Sequence, residues 1–224
     1  MSGPHVTELP DRSQDYLKAI WDNAEHSGVE APVPLGELAR ATGQKLSTAS
    51  EAIKRLARQD LVHHEPYAGV TLTPQGLTLA LAMVRRHRLL ETFLVTVLGY
   101  TWDEVHDDAD LLEHAVSDRL LARIDAYLAH PTRDPHGDPI PAADGSIELL
   151  TSRSLAAVPP RSEVIVEQIN DRDPQLLRYL AEHGIGPGVR LRIDSPSAAG
   201  LLTVHVDGRP VPLAEASLGD IRVR

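Results

Sequence analysis

Hydrophobic positions follow two different periods along this chain, and the change of period divides it. In SQDYLKAIWDNAEH, Tyr16, Leu17, Ile20, Trp21 and Ala24 recur at helical spacing, with Ser13 placed to cap the helix. Beyond Pro32 and Pro34, LGELARATGQ and KLSTASEAIKRLARQDLV give two further helices around a turn at Gly43. Leu35, Leu38 and Ala39 pack the first, and Ala49, Ile53, Leu56 and Leu61 the second. Strand-like residues then flank Pro66-Tyr67-Ala68-Gly69, which predicts a small hairpin. A helix-turn-helix whose second helix begins near Ser47, followed by a hairpin wing, is a winged helix.

The pattern from Thr78 to Leu98 is apolar over much of its circumference, and a second helix is expected from about Asp108 to Leu128. Faces that broad are buried on more than one side, as in a helical dimer interface. Residues 131–160 are rich in Pro, Asp, Gly and Ser and read as loop and linker, with a boundary at Pro159-Pro160. Beyond it the period falls to two in SEVIVEQIN, VRLRIDS, LLTVHVDG, RPVPLA and DIRVR, with one helix at PQLLRYLAEHG and a hairpin turn at Asp207-Gly208. The expected fold is therefore mainly α with a small β-barrel. Its domains are a winged helix over 1–75, a helical metal-binding and dimerisation domain over 76–148, a linker over 149–160, and a barrel over 161–224.

Length and composition add limits. The chain has 224 residues, 42% of them hydrophobic, and no stretch reads as a membrane span or a signal peptide, so a soluble cytoplasmic protein is expected. With no cysteine there is neither a thiolate ligand nor a cysteine nucleophile. The formal net charge of −10 argues against nucleic acid until its distribution is considered. Residues 75–150 carry six basic and thirteen acidic groups, whereas 11–74 and 151–224 are close to balanced. The excess acid falls where the metal chemistry does.

That chemistry is HDDADLLEH. On one helix His106, Asp110, Glu113 and His114 would share about a third of the circumference. His87 and Glu91 are one turn apart on the preceding helix. Nitrogen and carboxylate donors on neighbouring helices suit a divalent metal, and crowded carboxylates repel until a cation joins them. Isolated histidines such as His63, His64, His130 and His183 carry no such signal. On the recognition helix, Lys45, Ser47, Thr48, Ser50, Glu51, Lys54 and Arg55 are the polar candidates for DNA contact. A metallohydrolase would need a substrate pocket and a nucleophile motif, and none is evident. A regulator with a small organic ligand would want more aromatic residues than one Phe and two Trp.

The order of SQDYLKAIW, DLVHHEPYAGVTLTPQG, RRHRLLE, VHDDADLLEHAVSD and HPTRDPHGDPIP resembles the diphtheria-toxin-repressor family of metal-dependent transcriptional repressors, over almost the whole chain. The resemblance implies a homodimer reading a pseudo-palindromic operator in double-stranded DNA, an SH3-like C-terminal domain, and no enzymatic role. It implies a regulatory site at Asp15, Asp110, Glu113 and His114. An ancillary site would take His87, Glu91 and His106, with Asp173 as first choice and Gln175 as second from the C-terminal domain. Iron-sensing members carry Met and Cys where this chain has Asp15 and Asp110, so the harder donor set favours Mn2+, with Fe2+ or Co2+ able to take its place. Manganese-sensing relatives with a close two-metal cluster tend to have Glu where this chain has Lys18, which implies two separate sites instead.

Overall fold

The computed structural model describes residues 5–27, 31–65, 68–194 and 200–224. By proximity the chain forms two compact units. The first comprises Met1–His87, Glu113–Val116 and Pro141–Ile147, and the second Arg88–Leu112, Ser117–Ile140 and Glu148–Arg224.

In the first unit, α1 (Asp11–Ser27), α2 (Leu35–Ala41) and α3 (Leu46–Arg58) precede an antiparallel hairpin of β1 (Val62–Glu65) and β2 (Gly69–Leu72). Pro10 rather than Ser13 opens α1. Its carbonyl accepts from the backbone N–H of Ser13 at 2.7 Å and of Gln14 at 3.2 Å, which leaves Ser13 buried in the first turn. Tyr16, Leu17, Ile20 and Trp21 of α1 pack with Leu38 of α2 and Ile53 and Leu56 of α3 in one core. The hairpin pairs Val62 with Leu72 and Glu65 with Gly69, and Val33 bridges to Val70. Of the four turn residues expected between the strands, Pro66 and Tyr67 lie outside the described residues.

Helix α4 runs from Pro74 to Leu98, so its N-terminal part lies in the first unit and its C-terminal part in the second. The single helix expected over 108–128 is two helices, α5 (Val105–Leu112) and α6 (Asp118–Tyr127). Ser117 is the physical reason: its extended backbone and its side chain, which accepts from the Leu120 N–H, start α6 afresh. Glu113 and His114 therefore lie in the turn after α5, not on a helical face with His106 and Asp110.

The second unit holds β3 (Arg153–Ser154), β4 (Glu163–Ile169), α7 (Pro174–Glu182), β5 (Arg190–Ile193), β6 (Leu201–Val206), β7 (Arg209–Ala214) and β8 (Ile221–Val223). Their sheet is antiparallel with order β3-β8-β4-β5-β6-β7. Among the described residues its outer strands β3 and β7 do not pair, so the sheet is SH3-like but not a closed barrel. Asp207 and Gly208, at φ 49° and 79°, form the turn between β6 and β7 that their sequence favours. Inward residues Val164, Val166, Leu191, Ile193, Val204 and Leu213 pack on Leu177 and Leu180 of α7. No helix among the described residues is long and apolar enough to cross a membrane.

Candidate metal centre

Among the described residues, donor side chains gather within each of the two units. In the first unit, Asp15 of α1 and the turn residues Glu113 and His114 present ligand atoms that all lie within 4.8 Å of one another. The arrangement starts from Leu9. Its carbonyl accepts from Gln14 Nε2 at 2.7 Å, which fixes the amide so that Gln14 Oε1 faces His114 Nδ1 at 3.0 Å. An amide oxygen can only accept, so His114 carries its hydrogen on Nδ1 and turns the Nε2 lone pair inward. There Nε2 is 3.0 Å from Asp15 Oδ1 and 3.7 Å from Glu113 Oε1. Three acceptors this close require a proton or a cation between them. Burial raises the Asp15 carboxyl above its usual value, and the attraction of His114 and Arg12 offsets only part of that.

Glu113 is a carboxylate with two sides. Its Oε2 lies 2.7 Å from Lys18 Nζ and 2.6 Å from His87 Nδ1. Burial acts to raise its pKa, but Lys18 and His87 outweigh burial and hold it below the usual value.

In the second unit, Glu91 of α4 is 1% exposed and also presents two sides. Its Oε1 is 3.3 Å from His106 Nδ1, and the same nitrogen is 3.2 Å from Asp171 Oδ2. Burial alone would raise Asp171, yet its bond from His106 takes it down to about 2. Glu91 Oε2 faces a further pair, Asp134 and His136, and Glu91, Asp134 and His136 are all buried with ligand atoms within 4.8 Å. His136 Nε2 lies 2.7 Å from the Trp102 carbonyl and the ring stacks on Trp102, so Nε2 is the donor. Its Nδ1 has no hydrogen-bond partner among the described residues and sits 3.8 Å from Glu91 Oε2. A fully buried ring nitrogen aimed at a carboxylate, with its tautomer set by a carbonyl behind it, is how an imidazole is prepared for a metal.

The loop carrying these donors is pinned to β4. His136 O accepts from Ile169 N at 2.9 Å, Asp134 Oδ1 accepts from the N–H groups of His136 and Asp138, and Gln168 donates to Asp138. Gly137 is at φ 93°, and a Cβ there would overlap the Glu167 carbonyl. Arg88 Nη1 donates to Pro139 O at 2.7 Å, and its guanidinium lies near both Asp134 and Asp138. Even so, burial and the charges of Asp138 and Glu91 push Asp134 well above its usual value.

Of the residues expected from sequence, the structure brings together Asp15, Glu113 and His114 in one unit and Glu91 and His106 in the other. His87 lies one turn before Glu91, with its Nδ1 against Glu113 and Lys18. Asp110 is half-exposed and lies 3.5 Å from His106 Nε2. Asp173 caps α7 instead, accepting from the N–H groups of Gln175 and Leu176, and Gln175 is exposed. Asp171, two residues earlier, takes the place beside His106. Asp134, His136, Asp171 and the orienting Gln14 were not singled out in the sequence. An imidazole flanked by aspartates in DPHGD was the available signal, and Asp173-Pro174 bears the mark of a helix cap. Both groups offer only oxygen and imidazole nitrogen, with His114 and His136 each turning a ring lone pair inward, and so fit a hard or borderline divalent cation.

Lys45, at the N-cap of α3, and Ser47, Thr48, Glu51, Lys54 and Arg55 on it are exposed and Ser50 is half-buried, while Ala49, Ala52, Ile53 and Leu56 face the core. Lys54 pairs with Glu51 at 2.9 Å, a surface contact that water competes with readily.

Residues 8–70 match the iron dependent repressor N-terminal DNA binding domain, residues 73–142 the iron dependent repressor metal binding and dimerisation domain, and residues 153–224 the FeoA domain. The iron-dependent repressor IdeR of Mycobacterium tuberculosis (strain ATCC 25618 / H37Rv) is 32% identical over 215 residues, covering 89% of this chain and 90% of that protein. A solved manganese-dependent transcriptional repressor in complex with manganese is 51% identical with a TM-score of 0.87, covering 95% of this chain and 99% of that one. The manganese regulator SloR is 33% identical with a TM-score of 0.76, covering 95% and 97%.

Proposed function

The chain belongs to the iron-dependent repressor family, the diphtheria-toxin-repressor type of metal-dependent transcriptional repressors, and from that premise we propose that its co-repressor is Mn2+. The observation that carries this reading is the donor chemistry. Asp15, Glu113 and His114 in one group, and Glu91, His106, Asp171, Asp134 and His136 in the other, present no sulfur at all. Such sets discriminate little in favour of metals that prefer thiolate or thioether. The similarity to a manganese-bound repressor over nearly the whole length points the same way. The similarity to IdeR keeps Fe2+ as the second reading.

The family's DNA-binding and dimerisation domains are both present, so the chain is a DNA-binding homodimer. We assign DNA contact to the exposed face of α3 and its N-terminal Lys45, and the target to a pseudo-palindrome whose half-sites match two recognition helices. A bound divalent cation supplies the positive charge that lets several carboxylates share one small volume. The chain's own residues turn that into a switch. Asp15 sits on α1, whose other face packs Tyr16, Leu17, Ile20 and Trp21 against α2 and α3. Holding Asp15 to Glu113 and His114 therefore restrains the helix on which the recognition helix is built, while in the metal-free chain the same carboxylates repel. Gln14 keeps His114 in the tautomer this requires. In the second unit, Trp102 and the contacts of the 134–138 loop with β4 hold His136 and Asp134 ready.

The test is selection of genomic DNA fragments by the full-length protein under anaerobic conditions, with Mn2+, with Fe2+ or with chelator. A palindromic site enriched by Mn2+ and lost in chelator supports the assignment. Enrichment by Fe2+ alone moves it to the iron reading, and equal recovery in all three arms removes the metal switch.

A further inference from the structure

The buried ammonium of Lys18 is not used by the reading above. Its side chain is 12% exposed, and Nζ lies 2.7 Å from Glu113 Oε2 and 2.8 Å from His87 Nδ1, while those two atoms are 2.6 Å apart. Glu113 and His87 side chains are 2% and 6% exposed. In this triangle the ammonium has several N–H donors and no acceptor, so it can donate to Glu113 Oε2 whichever tautomer His87 adopts. It places a positive charge against the side of Glu113 that faces away from Asp15 and His114. A buried carboxylate without such a counter-charge would be costly.

We propose that Lys18 is a resident cation of the Asp15–Glu113–His114 site, fixing Glu113 in the metal-free chain and raising the free metal concentration at which the site fills. This rests on the assignment of that site to a divalent metal. Two consequences follow from charge alone. Without metal, Lys18 offsets repulsion among buried carboxylates and so stabilises the fold. With metal, its charge is close to the incoming cation and opposes it, so the affinity is weaker than the donors would otherwise give. Lys18 is thus a positioning residue that sets a threshold. A purely structural prop would act oppositely on the second count, since removing it would disorder Glu113 and loosen the metal.

The experiment compares wild type, Lys18→Met and Lys18→Gln as full-length, metal-free proteins, checked for fold by circular dichroism. Thermal midpoints are read without metal, and calorimetric titration is done with Mn2+ alone, with Asp15→Ala identifying which binding phase belongs to this site. Both neutral variants are expected to have a lower metal-free midpoint and to bind Mn2+ in that phase about tenfold or more tightly than wild type, as removal of a nearby like charge requires. Mn2+ uptake by wild type that both variants leave unchanged or weaken overturns the Lys18 assignment alone. No Mn2+ uptake by wild type overturns the manganese reading itself, whatever the variants do.

Discussion

His114 and His136 show how a partner behind an imidazole can prepare the ring to face a metal ion. Each ring is held by an oxygen acceptor behind it, Gln14 Oε1 in one case and Trp102 O in the other, so each offers a lone pair to buried carboxylates. Such orienting partners are typically worth about 10–100-fold in metal affinity. Gln14→Leu should accordingly weaken Mn2+ binding at the first site by roughly that factor and leave the second site alone, as read by titration. Asp134 makes a different prediction. Burial and the neighbouring Asp138 and Glu91 raise its folded-state pKa above 3.8, so its contribution to stability is full in acid and is lost as pH rises through the raised value. The metal-free protein should lose thermal stability over that rise, and Mn2+ or Asp134→Asn should flatten the loss. Thermal midpoints across pH with and without Mn2+ check this; a variant with the wild-type profile would exclude Asp134 as the source. From sequence alone, Glu113 and His114 were legible because they sit in one short acidic run. Asp171 and His136 were not, because their partners Glu91 and His106 are distant in sequence and only the folded chain brings them together.

Among the elements, those whose period and breakers agree were readable in advance. The helices of the winged region, the β6–β7 hairpin at Asp207-Gly208 and α7 all lie where spacing and turn residues put them. The break between α5 and α6 was not, because ADLLEHAVSDRLL keeps a nearly continuous helical pattern and the cap at Ser117 competes with it on local hydrogen bonding alone. The open sheet was likewise invisible, since alternation shows which residues face inward but not whether the outer strands meet. The least legible element is the 134–138 loop, whose role depends on its seat against β4. Gly137 is required there twice over, by its positive φ and by its closeness to the Glu167 carbonyl. Gly137→Ala should cost about 2 kcal/mol or more, and so lower the thermal midpoint by several degrees. It should also weaken Mn2+ binding to the Glu91, Asp134 and His136 group while leaving Asp15, Glu113 and His114 able to bind. If titration found both sites untouched, the loop's seat on β4 would not be what positions its donors.

For the whole molecule the question is whether metal acts as a switch or only as added positive charge. With a net charge of −10, the long-range field of the chain opposes DNA, and any divalent ion that binds loosely will ease that opposition. Such an effect would be shared by Mg2+ and Ca2+ and would fade as salt screens it. A switch behaves otherwise. If Mn2+ strengthens operator binding by some factor, the operator must strengthen Mn2+ binding by the same factor, because the coupling free energy belongs to both equilibria. Couplings of this kind are commonly about 1–3 kcal/mol, or roughly 5–150-fold. The selected operator should therefore tighten Mn2+ binding to the dimer by the factor by which Mn2+ tightens operator binding, at physiological salt and with Mg2+ in excess. Asp15→Ala should abolish most of that coupling, since Asp15 is the proposed donor on α1, which packs with α3 in one core, while folding and dimerisation persist. Two unequal factors would mean that the protein changes its state of assembly between the measurements. Two factors near one would mean that metal and DNA bind independently and that the repressor is controlled at some other point.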